Sequence, residues 1–157
     1  MSAAITPCLW FDDQAEPAPR YYCDVFKDAA IDAISRYGEG APLPAGTALT
    51  ASFTLRGRPF MALNGGPHFS FSEAVSFVVE CDDQAEIDHY WTALGDGGSE
   101  QQCGWLKDRY GLSWQIVPQQ MAAWMTDPDP QRSRRVMQAK MSMVKLNAAV
   151  LEQAHAG

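Results

Sequence analysis

The sequence lacks the apolar segments that mark membrane proteins and secreted precursors. No run of apolar residues approaches the roughly 18 that a membrane-spanning helix requires. Residues 1–11 have neither the basic start nor the long apolar core of a signal peptide. The four cysteines are scattered and form no C-x-x-C pair. We therefore expect a cytoplasmic protein with reduced thiols and no membrane partner.

The sequence also contains fewer basic than acidic residues. Lysine and arginine number 12 against 19 aspartates and glutamates, which gives a net charge of −7. Phosphate backbones and anionic membranes repel such a chain, so no nucleic-acid partner is expected. The C-terminal third does contain a group of basic residues, which is typical of the solvated face of a helix. The group consists of Arg132, Arg134, Arg135, Lys140 and Lys145.

Histidines and nucleotide-binding turns are scarce as well. His68, His89 and His155 have no H-x-x-x-H spacing and fall in a predicted loop, a helix and the tail. The glycine-rich segments at 38–40 and 95–98 are not followed by helical patterns, whereas a nucleotide loop joins a strand to a helix. The sequence therefore predicts no cofactor.

A repeat is the strongest positive feature of the chain. The pentapeptide DDQAE at 12–16 recurs at 82–86, each time after a short apolar run and before a helical pattern. Asp13 and Asp83 are placed to cap these helices, with Glu16 and Glu86 completing a capping box. At 157 residues, with 46% hydrophobic and 20% charged residues, one globular domain over 1–157 is the default.

Strand-like segments follow both helical patterns, so each half reads βαβββ. This order favours an α+β fold with module one at 4–66 and module two at 74–118. A C-terminal helical extension at 120–155 follows, with a short turn and then one longer helix from about residue 131. The predicted apolar stripe of that helix, typical of core or of a subunit interface, is Met137, Met141, Val144, Ala148 and Leu151.

Four segments resemble a known family. FMALNGG at 60–66, SFVV at 76–79, CGWLKD at 103–108 and SWQIVP at 113–118 resemble the PhnB-like proteins of the vicinal oxygen chelate superfamily, the glyoxalase/bleomycin-resistance/dioxygenase group. Many members carry the label 3-demethylubiquinone-9 3-methyltransferase. The resemblance implies a cupped, incompletely closed mixed β-sheet that holds a small-molecule ligand, and a homodimer.

In metal-dependent members of that superfamily, four inward side chains hold a divalent ion that acts as a Lewis acid. Carried over to this chain, the four positions fall at Pro7 or Cys8, at Ala62, at Ser76 and at Gln115. Only Gln115 is a plausible ligand, and one oxygen donor does not hold a divalent ion against water. A metal-free protein is therefore predicted.

The resemblance and the two-residue period of strands together predict a pocket for a planar or amphiphilic metabolite. Its predicted lining is Trp10, Phe11, Phe60, Ala62, Asn64, Ser76, Trp105, Lys107 and Gln115. The alternative is that these aromatic residues only fill the core of a small sheet.

Four other functions stay open. They are a metal-dependent lyase, isomerase or dioxygenase, the methyltransferase of the family label, a nucleophilic Cys103, and an interaction module whose Met-striped helix holds a dimer. Cys103 requires activation by Lys107 or Arg109, and an inert buried thiol is the simpler interpretation. The sequence does not decide whether any reaction is catalysed.

Overall fold

The repeated halves of the sequence fold into two sheets of identical topology. The structure is a computed structural model that describes residues 4–157. It divides the chain into a first unit that ends at Ser70 and a second unit over Phe71–Gly157. The strand orders are β1-β4-β3-β2 and β5-β8-β7-β6, and in each sheet only the first listed pair is parallel.

The first unit consists of β1 (Cys8–Phe11), α1 (Pro17–Val25), β2 (Ala29–Arg36), β3 (Ala48–Leu55) and β4 (Arg58–Asn64). The second unit begins with β5 (Ser76–Cys81), α2 (Gln84–Gly95), β6 (Ser99–Glu100), β7 (Trp105–Lys107) and β8 (Ser113–Pro118). It ends with α3 (Met121–Met125), α4 (Pro130–Met141) and α5 (Ala148–Ala156). These elements confirm the predicted α+β fold of two βαβββ modules, and neither sheet closes into a barrel over residues 4–157.

In the first unit, α1 packs on one face of its sheet through aromatic rings. Tyr22 stacks on Phe53 with ring centroids 6.3 Å apart, and Phe53 stacks on Phe60 at 5.4 Å. Asn64 at the end of β4 is 1% exposed. Its side chain accepts a 2.8 Å hydrogen bond from the Ala15 amide and donates one of 2.9 Å to the Ala48 carbonyl. Asn64 therefore ties the chain before α1 to the sheet.

The two copies of the repeat begin their helices differently. Asp83 caps α2 by accepting a 2.9 Å hydrogen bond from the Glu86 amide, as predicted. The predicted cap at Asp13 is wrong, because α1 begins only at Pro17 and no side chain caps it. Proline at the first helical position has no N–H to satisfy. Glu16 instead pairs with arginines, at 3.0 Å from Arg20 and 2.9 Å from Arg36.

The predicted single long helix of the C-terminal third is wrong, because the chain forms α4 and α5 with a break at 142–147. In the break, the carbonyls of Met143 and Val144 accept 2.8 Å hydrogen bonds from the amides of Cys103 and Gly104. Of the predicted stripe, Leu151 is buried, but Met141 is 64% exposed. The buried cluster of this region is Val117, Met121, Trp124, Val136, Leu146 and Leu151.

Over residues 4–157, none of the helices combines the length and the apolar character that crossing a membrane requires.

Candidate functional site

Alternation along the strands gives the second sheet two faces, and α2 covers one of them. Trp114 and Ile116 of β8 are buried on the face that α2 covers. Their neighbour Gln115 points to the other face, together with Val78 of β5, which is 54% exposed. We call this second surface the open face. Its residues are Ser76, Val78, Gln101, Trp105, Lys107, Ser113 and Gln115.

The centre of the open face is a pair of polar side chains on neighbouring strands. The Gln115 amide nitrogen donates a 2.9 Å hydrogen bond to the Ser76 hydroxyl. Gln115 lies opposite Val78 on β5 and opposite Trp105 on β7, so an apolar residue flanks it on each side. The hydrogen bond fixes the orientation of the amide, and the amide oxygen stays available as an acceptor.

Ser113 lies on the same face, two residues before Gln115. It is 0% exposed, and its hydroxyl oxygen has no hydrogen-bond partner among the described residues. Leaving a buried hydroxyl unpaired costs about 1–3 kcal/mol. In the strand register, Ser113 stands between Ser76 of β5 and Lys107 of β7. Folding alone gives no reason for a serine at this position.

An ion pair crosses the open face beside the first residue of β8. The Lys107 ammonium lies 2.8 Å from a carboxylate oxygen of Glu73, which also accepts a 3.0 Å hydrogen bond from the Gln101 amide. The hydrogen bond from Lys107 lowers the pKa of Glu73 from 4.5 to about 2. Glu73 is therefore ionised at any physiological pH. Sequence analysis missed it because it precedes the strand.

The predicted first-unit part of the pocket is largely wrong. Phe60, Ala62 and Asn64 lie on the face that α1 covers, and Ala62 is 0% exposed. The residues of β4 with the opposite orientation are Met61 and Leu63. A shift of one position in a strand moves every side chain to the other face, and that is the error in the prediction.

Trp10 and Phe11 were both predicted to line the pocket, but neighbours in a strand point to opposite faces. Phe11 is buried on the α1 side. Trp10 points to the other side, where its indole donates a 2.9 Å hydrogen bond to the Gly66 carbonyl and its ring meets the Phe69 ring edge-on at 4.9 Å. Trp10 is thus held by the loop after β4.

The residues present do not fit a divalent metal ion. No three His, Cys, Asp or Glu side chains are grouped as a metal site anywhere in 4–157. The open face offers serine and glutamine, which are weak ligands when alone. At the carried-over position in β1, desolvation raises the pKa of the Cys8 thiol. That the protein works without a metal stays a prediction.

Other polar groups noticed in the sequence have structural roles or lie in loops. Asp108 is buried, and its carboxylate accepts hydrogen bonds from the Trp114 indole at 2.8 Å and from the amides of Tyr110 and Leu112. Cys103 is half-buried in the turn before β7, with a positive φ of 64°. Its reactivity stays an open prediction.

Comparison with known proteins identifies the family to which the chain belongs. The sequence model described as 3-demethylubiquinone-9 3-methyltransferase matches residues 3–117. The chain belongs to this family. A PhnB protein from Bacillus cereus is 35% identical, and its structure aligns over 73% of this chain and 99% of its own with a TM-score of 0.68. None of the curated proteins matches the chain.

Two more distant structures share the fold of this 3-demethylubiquinone-9 3-methyltransferase family member. FosX from Listeria monocytogenes, in complex with Mn(II) and sulfate, is 11% identical over 75% of this chain and 90% of its own, with a TM-score of 0.51. A glyoxylase/bleomycin resistance protein/dioxygenase domain from Frankia is 14% identical over 75% and 93%, with a TM-score of 0.50. The protein thus has the fold of glyoxalase/bleomycin-resistance proteins. Helices α3 to α5 follow the segment that the family model matches.

Proposed function

We propose that this protein binds a small organic metabolite on the open face of its second sheet and does so without a metal ion. The observation that carries the proposal is the hydrogen bond between Gln115 and Ser76 on a face that α2 does not cover. Binding sites for small molecules combine apolar walls with a few oriented polar groups. Trp105 and Val78 supply apolar surface on either side of the Gln115 amide.

Metal-dependent chemistry is the alternative within the superfamily, and FosX from Listeria monocytogenes is described with Mn(II). The open face supplies hydroxyl and amide groups where a divalent ion requires several charged or imidazole ligands. This donor set supports binding of an organic molecule over metal-assisted chemistry.

The methyl transfer in the family description is also not favoured. Gly38 and Gly40 lie between β2 and β3, whereas Gly95 ends α2 and Gly97 and Gly98 lie between α2 and β6. Neither segment leads from a strand into a helix, which is the arrangement that brings backbone close to a nucleotide cofactor. The segment 38–40 is a loop, as predicted, whereas 95–98 begins with the last residue of α2 and continues into the turn before β6.

A thermal-shift screen of metabolites tests the proposal, with chelator present throughout. A compound at about 100 times its dissociation constant stabilises the folded protein by about 2.7 kcal/mol, which raises the melting temperature by about 5 °C or more. We expect Gln115→Leu to abolish this shift. The matched control is Gln119→Leu, because Gln119 is exposed just beyond β8. Equal shifts in both variants would place binding elsewhere.

The homodimer that the resemblance implies is part of the proposal. Light scattering tests it, and a monomeric mass at micromolar concentration would count against it.

A further inference from the structure

The ion pair between Lys107 and Glu73 spans the middle of the second sheet. Lys107 belongs to β7, whereas Glu73 precedes β5, and β8 lies between these two strands. Neighbouring strands are about 4.8 Å apart, so two strand spacings are about 10 Å. The two side chains bridge this distance next to the first residue of β8, which is Ser113.

Ser113 lies beside this ion pair, and its side chain is unusual in its hydrogen bonding. Its hydroxyl is fully buried and has no partner within residues 4–157, although it stands in the row between Ser76 and Lys107. Most buried hydroxyl groups have a hydrogen-bond partner, and a serine hydroxyl is able to donate a hydrogen bond to an acceptor brought beside it. The Glu73 carboxylate takes hydrogen bonds from Lys107 and Gln101 but not from Ser113.

We propose that the metabolite bound on the open face carries a carboxylate, and that the Glu73 carboxylate occupies the position of this group when no ligand is bound. The ligand carboxylate replaces Glu73 at the Lys107 ammonium and at the Gln101 amide, and it accepts a hydrogen bond from the Ser113 hydroxyl. This inference rests on the proposed function and names the chemical class of its ligand.

Glu73 is suited to being displaced. Its side chain is 49% exposed, and it lies in the segment that leads into β5 rather than in a helix or strand. Exposed ion pairs contribute little free energy, so a carboxylate that also gains contacts with Trp105 and Ser113 can compete for Lys107. A neutral ligand gains nothing at Lys107, because Glu73 keeps its place.

Benzoate and benzamide test the inference, since they share a planar ring and differ in the charge. Binding is measured by titration of the isotope-labelled indole signal of Trp105, which lies on the open face. We expect Glu73→Gln to tighten benzoate binding about fivefold and to leave benzamide unchanged. Asp96→Asn is the control, because it removes a carboxylate from another ion pair, that with Arg109.

Two further variants separate a binding role from a structural one. Lys107→Met should abolish benzoate binding and spare benzamide. Ser113→Ala should weaken benzoate about fivefold while the melting temperature stays the same or rises, because the variant removes an unpaired buried hydroxyl.

Three results overturn the inference. In the first, Glu73→Gln and the wild type bind benzoate with the same affinity. In the second, the wild type binds benzamide and benzoate with equal affinity. The third is no response of Trp105 to benzoate in Glu73→Gln. Benzamide separates this inference from the proposed function. If either of the first two results is obtained, but benzamide binds and Gln115→Leu abolishes its binding, the proposed binding site is retained and its preference for a carboxylate is rejected.

Discussion

The side-chain amide of Gln115 donates a 2.9 Å hydrogen bond to the hydroxyl of Ser76 on the parallel neighbouring strand. The first module has no such pair. Cys8 and Val78 occupy equivalent positions, because each precedes its copy of the repeated pentapeptide by four residues. Cys8 lies opposite Met61 and Val78 lies opposite Gln115, so Met61 is the counterpart of Gln115. The two modules therefore share a backbone plan, and the polar pair is particular to the second.

The first prediction concerns the two copies of the repeat. Asp83→Ala should lower the free energy of unfolding by about 1 kcal/mol, because the Glu86 amide loses its cap. Asp13→Ala, the same change in the other copy, should alter it by less than about 0.5 kcal/mol, because α1 begins without a side-chain cap. Urea denaturation of both variants measures the difference, and equal losses would contradict the asymmetry.

The second prediction concerns the close approach of Trp10 to the loop after β4. A methyl group added at Gly65 would fall inside the indole ring, which its hydrogen bond to Gly66 holds in place. Gly65→Ala should therefore cost about 1–3 kcal/mol and change the tryptophan fluorescence. Gly38→Ala is the control, since a methyl group there meets no atom within 4 Å. A Gly65→Ala protein as stable as this control would refute the packing.

The third prediction tests whether Asn64 is structural rather than part of a binding site. Asn64→Ala leaves the Ala15 amide and the Ala48 carbonyl unpaired, so we expect a loss of about 3 kcal/mol in urea denaturation. Ser35→Ala removes an exposed hydrogen bond to Thr50 and should cost less than about 0.5 kcal/mol. Loss of ligand affinity without loss of stability in Asn64→Ala would restore the sequence-based assignment.

The fourth prediction is a pH dependence that arises from Glu16. Hydrogen bonds from Arg36 and then Arg20 lower the pKa of Glu16 from 4.5 to about 2 in the folded protein. A lowered folded-state pKa stabilises the fold above the unfolded-state value, and this stabilisation disappears as the pH falls from about 4.5 towards 2.

Because the group is partly exposed, its contribution should stay below about 1 kcal/mol. The stability difference between the wild type and Glu16→Gln, measured in urea at several pH values, should be constant above about pH 5 and vanish near pH 2. A difference that grows as the pH falls would have the wrong sign. Glu39→Gln, in the loop after β2, is the control for loss of an acidic residue.

The sequence predicted the order of elements well because the repeat placed each helix after a strand with the same flanking residues. It did not predict which face of β4 is covered, because Phe60, Met61, Ala62 and Leu63 are all apolar. Period-two alternation assigns faces only where polar and apolar residues alternate. In β8, by contrast, Gln115 stands between the buried Trp114 and Ile116, so alternation distinguishes the two faces there.

Tertiary contacts account for the other differences. α1 begins later than predicted. The Ala15 amide, which precedes the helix, donates a hydrogen bond to the side chain of Asn64, and Asn64 lies 49 residues further along the chain. The break between α4 and α5 contains no glycine or proline and is stabilised by backbone hydrogen bonds from Cys103 and Gly104. The orientation of Ser113 could be predicted from the sequence, because residues two apart in a strand point to the same face and Gln115 follows it by two.

The most direct test of ligand binding on the open face is the indole region of a proton–nitrogen correlation spectrum, recorded with a compound from the thermal-shift screen. Trp105 lies on the open face, whereas the indoles of Trp91 and Trp114 are engaged on the covered face by Glu100 and Asp108. We predict that the compound shifts the Trp105 signal and leaves those of Trp91 and Trp114 in place. A shift of Trp91 or Trp114 with Trp105 unmoved would contradict the account.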